Sequence, residues 1–489
     1  MSVINNEDVE KVLKKFEPVM GLEVHAQLKT TTKLMSAASN QFGSSPNTAV
    51  STICTGMPGA LPVLNKKAVQ MALQAGLALD CEIQKRSVFS RKHYFYPDLP
   101  KGYQISQYDR PYALKGAVQF YLNGEKRKIA LTRIHLEEDA GKNLHFDDRG
   151  VSLVDLNRSS VPLIEIVSEP EIRSTAEAAA YLKALRLALR YLDICEGNLE
   201  EGNFRCDANI SLRPRGEQKF GTRVELKNIN SFRNLERAIT YEILRQADLL
   251  DSGGKITQET RLWDADQNKS ISMRSKEEAA DYRYMPEPDL LPLEIVERDI
   301  EDIRKKLPEM PIARMDRFIR DYGRNIYDAD VLTASSSLAD YYETVSKAIQ
   351  DPQLASTFIQ TNVLAHIANV ETDIETFFPD AKALSDLLLK MKDKTLSLNL
   401  AKEVFEIMMA EKKPAAQIIS EKGMAQVSDD SALLAVIEKV IAENPGQLAE
   451  LKAGKDKLFG FFMGQCQKAL GGKGNPATLK ELLEKKLKG

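Results

Sequence analysis

Arg133-Ile134-His135-Leu136-Glu137-Glu138-Asp139-Ala140-Gly141-Lys142 follows the strand-like run Lys128-Ile129-Ala130-Leu131. Three consecutive acids at the end of a buried strand are costly unless a cation stands against them. Two distant stretches share this character. In Met20-Gly21-Leu22-Glu23-Val24-His25-Ala26-Gln27-Leu28, the strand period of two puts Glu23 and His25 on one face and Leu22, Val24 and Ala26 on the other. The apolar run Val161 to Val167 is broken by one acid, Glu165. Edge-strand charge facing water explains any one of these. All three together point to strands converging on a metal ion.

The 489 residues exceed what one core supports, so two or three domains are expected. A formal net charge of -3 argues against a surface that coats nucleic acid or anionic membrane as a whole, and confines any RNA site to a local patch; no DNA partner is expected. The five cysteines, Cys54, Cys81, Cys195, Cys206 and Cys466, are odd in number and lack C-x-x-C spacing, which suits free thiols in a reducing compartment. There is no signal-peptide core at the N-terminus and no apolar run of membrane-spanning length, so a cytoplasmic protein without a membrane partner is expected.

In chain order, residues 6–17 read as a short amphipathic helix, and Asn40 to Leu64, rich in Ser, Thr, Gly and Pro, as a loop over the site. Asn65, Ser174 and Ser231 are positioned to cap helices, with Glu177 completing a capping box. Ser90 to Tyr108 gathers Tyr, Lys, Arg and His around a Pro-Asp-Leu-Pro-Lys-Gly turn, bringing Lys92, His93 and Lys101 toward an acidic centre. Asp155, Asn157, Arg158 and Ser159 form a polar loop before the Glu165 strand. Two later strands alternate strictly, with Arg205, Asp207 and Asn209 on one face of the first and Arg223, Glu225 and Lys227 on one face of the second. Repeated polar inner faces predict an antiparallel sheet lining a cradle. Arg274, Lys276, Arg283 and Tyr284 are candidate phosphate or RNA contacts.

The fold class read from these patterns is α+β, with a catalytic cradle over 1–298, an all-α connector over 299–411 and an α-helical tail domain over 412–489. The tail carries thirteen lysines against nine acids and no arginine. Its Gly/Lys-rich loop makes Lys468 and Lys473 candidates for contact with a nucleic-acid phosphate backbone.

At G-L-E-V-H-A-Q-L, Y-F-Y-P-D-L-P-K-G-Y-Q-I-S-Q, H-L-E-E-D-A-G-K, N-R-S-S-V-P-L-I-E-I-V-S-E-P, C-D-A-N-I-S-L, E-L-K-N-I-N-S-F and Y-R-Y-M-P-E-P-D-L, the sequence resembles the B subunits (GatB) of the tRNA-dependent amidotransferases. The tail's F-M-G-Q and N-P resemble the YqeY-like domain of the same family. The resemblance implies a cradle similar to the glutamine synthetase fold. It also implies ATP and Mg2+ as cofactors, a heterotrimer with an amidase A subunit (GatA) and a small C subunit (GatC), and misacylated Glu-tRNA(Gln) or Asp-tRNA(Asn) as substrate. Carried over residue by residue, it makes His25, Glu138 and Glu165 metal ligands with Glu23 and Glu137 beside them. Glu138, Lys92 and Tyr94 become catalytic, the last two lining an ammonia path. Asp155, Arg158, Ser159, Arg205 and Asp207 are the candidates for nucleotide and acyl contacts. Imidazole suits manganese equally, so only the resemblance selects magnesium.

No P-loop motif occurs, so ATP is expected to be held without one. No Ser-rich amidase signature occurs either, which leaves glutamine hydrolysis to a partner. Some family members carry a C-x-x-C zinc site where this chain has Ser51 and Cys54, so no zinc is expected. A metal-dependent nuclease and a non-catalytic RNA scaffold are the rival readings.

Overall fold

The computed structural model describes residues 6–146, 149–275, 282–370, 372–426, 429–452, 455, 457–471 and 473–488. It separates into two compact units, Met1–Arg314 and Met315–Gly489.

The first unit opens with α1 (Asn6–Lys15) and β1 (Phe16–Gln27), followed after a long loop by α2 (Lys66–Ala78). Short strands come next: β2 (Glu82–Ile83), β3 (Arg86–Ser87), β4 (Ser90–His93), β5 (Tyr103–Ser106), β6 (Ala113–Leu114) and β7 (Ala117–Leu122). The long β8 (Glu125–Glu138) leads to a two-stranded ribbon, β9 (Lys142–Phe146) and β10 (Val151–Asp155), and then to β11 (Pro162–Ser168). The rest is α3 (Thr175–Tyr191), β12 (Phe204–Pro214), β13 (Val224–Ile229), α4 (Phe232–Asp251), β14 (Glu259–Asp264) and β15 (Lys269–Ser275).

Ten strands form one sheet in the order β15-β14-β13-β12-β1-β11-β8-β6-β2, with β7 also on β8. The expected antiparallel arrangement holds except at β13 and β14, which are parallel. The helix α4 between them supplies the crossover that a parallel pair needs.

Alternation divides the sheet into two faces. Leu22, Val24 and Ala26 of β1, Ile134 and Leu136 of β8, Ile164 and Ile166 of β11, and Cys206, Ala208 and Ile210 of β12 are all buried in one core. That core also takes Tyr181, Leu182, Leu185 and Leu189 of α3 and Leu235, Ile239 and Ile243 of α4. The opposite face carries Glu23, His25, Glu165, Arg205, Asp207 and Lys227, and remains open as a polar cradle. Each buried aliphatic side chain contributes about 1.5–3 kcal/mol toward holding it.

The helix starts follow local chemistry. Ser231 accepts from Asn234 N at 3.0 Å, and Ser174 from Glu177 N at 3.1 Å. Glu177 returns its carboxylate to Arg173 N, one residue before the cap. Asn65 accepts from Lys67 N and Ala68 N, and its amide donates to Thr32 O and Lys33 O, fixing α2 to the loop ahead of it. Asn65→Ala is expected to destabilise this unit by about 1–2 kcal/mol, and Asn65→Asp, which keeps the cap but not the donations, by less. Urea unfolding of the two variants checks the order.

The second unit is helical. Helices Ala381–Lys392, Leu398–Glu411 and Ala415–Lys422 pack on one another, so a boundary at 411 falls between helices in contact. A separate core forms from Leu433, Ile437, Val440, Phe462, Cys466, Leu479, Leu483 and Leu487. No helix among the described residues is long and apolar enough to cross a membrane.

Candidate active site

The three strands singled out in the sequence are adjacent in the sheet. β11 lies between β1 and β8, with His25 opposite Glu165 and Glu165 opposite His135. The His25 Nε2 stands 3.3 Å from Glu165 Oε2, 3.8 Å from Glu137 Oε1 and 3.9 Å from Glu23 Oε1. His135 Nε2 is 3.2 Å from Glu165 Oε2 and 3.5 Å from Glu137 Oε2. Glu137 is oriented by Ser106 Oγ, which donates to its Oε2 at 2.8 Å.

Of the five residues expected as metal ligands, the structure brings His25, Glu137, Glu165 and Glu23 together and does not bring Glu138. Period-two alternation is the reason. Glu137 shares the open face with Arg133, His135 and Asp139, whereas Glu138 shares the side of Ile134 and Leu136. There its carboxylate takes Ile105 N at 2.9 Å and pairs with Lys101, both side chains being almost wholly buried. His135, which was not among the expected ligands, joins the cluster.

Burial and the charge of Glu165 push the Glu23 carboxyl up to about 7. Burial lowers the His135 imidazole, but Glu165 and Glu137 outweigh it and bring it to about 9. Burial likewise lowers His25, and the hydrogen bond and charge of Glu165 more than compensate, so its pKa stands above the ordinary value. Burial alone raises Glu165, yet the two imidazoles hold it well below the usual range.

One donor atom each from His25, Glu137 and Glu165 lies within 4.8 Å of the others, and Glu23, His25 and Asp207 form a second such group. Two carboxylate oxygens with one imidazole fit a divalent cation of the magnesium or manganese kind.

Glu23, His135, Glu137 and Glu165 border a cavity of about 320 Å3 whose wall also includes Lys92, Arg133, Lys227, Thr260, Tyr282 and Tyr284. Arg133 Nε is buried there with no hydrogen-bond partner among the described residues. Lys92 Nζ stands 5.0 Å from the Tyr282 ring centroid. Burial pushes the Lys92 pKa down, but the charge of Glu137 outweighs it and the net shift is upward. Burial pushes Tyr94 up, and its hydroxyl donates to Gln104 Oε1 at 3.2 Å.

The candidates for nucleotide and acyl contacts divide. Arg205 and Asp207 lie on the open face, Arg205 donating to Asp139 at 2.9 Å and Asp207 accepting from Lys227 at 2.5 Å. Asp155 instead accepts from Asn157 N and Asn47 N, tying down the Asn40 to Leu64 loop. Ser159 is buried, its carbonyl taken by Lys33 Nζ at 2.5 Å. Arg158 donates to Ala140 O and Gly141 O and sits 3.8 Å from Asp139. None of the five is among the residues that line the cavity. Ser51 Oγ and Cys54 Sγ, at the position of the zinc pair, are 3.2 Å apart. In the second unit, Lys468 is exposed and Lys473 donates to Gly423 O at 2.7 Å. Lys276 and the Arg274 side chain lie outside the described residues, while Tyr284 is in the cavity wall.

Residues 18–301 match the family described as the GatB/GatE catalytic domain, and residues 340–487 that described as the GatB domain. The B subunit of the aspartyl/glutamyl-tRNA(Asn/Gln) amidotransferase from Thioalkalivibrio sulfidiphilus is 53% identical over 475 residues, covering 97% of this chain and 100% of the relative. The protein of the same name from Halorhodospira halophila is 52% identical over 477 residues, with the same coverage. That from Solidesulfovibrio magneticus is 49% identical over 475 residues, again 97% of this chain and all of the relative. With its catalytic-domain match on the sheet that gathers His25, Glu137 and Glu165, the chain belongs to the GatB family of tRNA-dependent amidotransferase B subunits.

Proposed function

We propose that the chain is the B subunit of a glutamine-hydrolysing tRNA-dependent amidotransferase, a ligase that forms a carbon–nitrogen bond on misacylated tRNA. The observation that carries this reading is the joining of an acid–imidazole cluster with the cations Lys92, Arg133 and Lys227 around one cavity, in a chain about half identical to proteins of that name.

A side-chain carboxylate resists ammonia because its leaving group would be oxide. Activation transfers the γ-phosphoryl of ATP to a carboxylate oxygen of the tRNA-linked glutamate or aspartate, giving an acyl phosphate and ADP. Ammonia then adds to the carbonyl carbon, loses a proton, and inorganic phosphate leaves with the C–O bond. The protein's part is positioning and charge. His25, Glu137 and Glu165, with Glu23 and Asp207 beside them, would hold Mg2+. The ion supplies neutralisation of charge developing on the transferred group. Arg133, whose Nε lacks a partner among the described residues, borders the space where phosphate oxygens would sit, and Lys92 and Lys227 place further positive charge in the same wall. Ammonia would arrive from an amidase subunit along the side of Lys92 and Tyr94, whose hydroxyl donates to Gln104. Glu138, paired with the buried Lys101, stands apart from the metal group. The exposed Lys468 would meet the tRNA backbone.

The test combines the chain with its A and C partners, ATP, Mg2+, glutamine and tRNA(Gln) charged with labelled glutamate, followed by identification of the released amino acid. Labelled glutamine formed only with ATP is the expected product. Unchanged glutamate, together with unchanged aspartate on tRNA(Asn), would refute the reading.

A further inference from the structure

Four tyrosines form a row, and three of them, Tyr108, Tyr282 and Tyr284, line the cavity. Tyr94 meets Tyr282 edge-on at 6.1 Å and 74°, and Tyr282 meets Tyr284 edge-on at 6.0 Å and 68°. The last contact differs: Tyr284 and Tyr108 lie face to face, with centroids 4.0 Å apart and planes 8° from parallel. Tyr108 lies two residues after the end of β5, next to Gln107, whose side-chain Oε1 accepts from Leu136 N of β8 at 3.0 Å. The residue nevertheless remains 57% exposed. Edge-on contact is what electron-rich rings prefer, and the first two contacts satisfy that preference. The terminal pair instead offers a flat, half-covered π-face at the rim of a cavity whose floor holds Arg133, His135 and Glu137. A flat heteroaromatic ring gains most from such a face, and base–aromatic stacking is tolerant of how the rest of the ligand is held.

We propose that Tyr108, backed by Tyr284, is a stacking platform for a purine base at the mouth of the cavity, holding the nucleoside end of a substrate whose reacting group extends to Glu137 and Glu165. The assignment rests on the amidotransferase reading for the identity of that substrate. Both substrates of that reaction carry adenine, ATP and the 3′-terminal adenosine to which the amino acid is esterified. In the second of these the amino acid is esterified to the ribose, so a side-chain carboxyl held beside Glu137 and Glu165 leaves the base farther out, on the side of the exposed Tyr108.

Equilibrium binding to the assembled complex separates the sources without depending on turnover. One arm compares tRNA with and without its 3′-terminal adenosine, and the other titrates ATP in the absence of tRNA. With Tyr108→Ala, a loss of about tenfold is expected in one arm, the order of a single base–aromatic stack. Loss of the preference for the complete 3′ end assigns the platform to tRNA, and weakened ATP assigns it to the nucleotide. Tyr108→Phe should bind as the unaltered complex does, whereas Tyr108→Leu, with similar bulk and no π-face, should behave like alanine. Binding within twofold in both arms for Tyr108→Ala, or equal rescue by leucine and phenylalanine, overturns the proposal. The labelled-glutamate assay on the unaltered complex is read separately. Its failure would reject the amidotransferase reading while the binding arms still decide the platform.

Discussion

Glu165→Gln in the assembled complex is expected to lower ATP-dependent amidation by more than about a hundredfold, beyond the 10–100-fold typical of losing a group that merely supports a metal ligand. Glu165 is the midpoint of the cluster, 3.3 Å from His25 and 3.2 Å from His135. The amide keeps the shape but removes the anion that both imidazoles face and one of two carboxylate donors of the candidate metal group. Glu137→Gln should act in the same direction. The second readout is Mn2+ affinity by titration, which should weaken in parallel, while glutamine hydrolysis by the partner subunit and the unfolding midpoint stay near those of the unaltered complex. Rates and Mn2+ affinity both within threefold would mean that the cluster is a structural ion network.

Much of the site's framework was legible because it depends on short-range periodicity. Glu23 and His25 on one face of β1, Glu165 interrupting an apolar strand, and the caps at Asn65, Ser174 and Ser231 are local patterns, and the structure has each of them. Glu137, and not Glu138, at the cluster was within reach of the same reasoning. Arg133, His135, Glu137 and Asp139 recur at period two, and following that alternation through the acidic triplet places Glu138 on the other side. What the sequence does not carry is where a polar group finds its partner. Asp155 sits in a loop that looks poised for a ligand, but Asn47, 108 residues earlier in the chain, already uses its carboxylate. Tyr108 and Tyr284 are stacked across a gap of sequence that no periodicity spans. The parallel β13–β14 pair was hidden for the same reason, since each strand alone alternates as an antiparallel one would.

Lys101→Met should destabilise the cradle by about 3–5 kcal/mol, the cost of leaving a buried charge without its partner. The Lys101 and Glu138 side chains are 4% and 1% exposed, so water cannot replace the lost ammonium. Glu138 Oε1 also accepts from Ile105 N, and its Oε2 is buried with no partner among the described residues. The carboxylate would then have a single neutral hydrogen bond against its desolvation. Adding Glu138→Gln to Lys101→Met removes the stranded charge and keeps an acceptor for Ile105 N, so the double variant should recover most of the loss. Urea unfolding of the full chain reads both, and a single variant within about 0.5 kcal/mol of the unaltered chain would show that the pair is not closed as described. The double variant also isolates the chemistry. A stable cradle that still binds Mn2+ but no longer amidates would assign Glu138 a part in the reaction. Retained amidation would reduce the pair to a buried strut that keeps the Pro97-Asp98-Leu99-Pro100-Lys101-Gly102 turn against the end of β8.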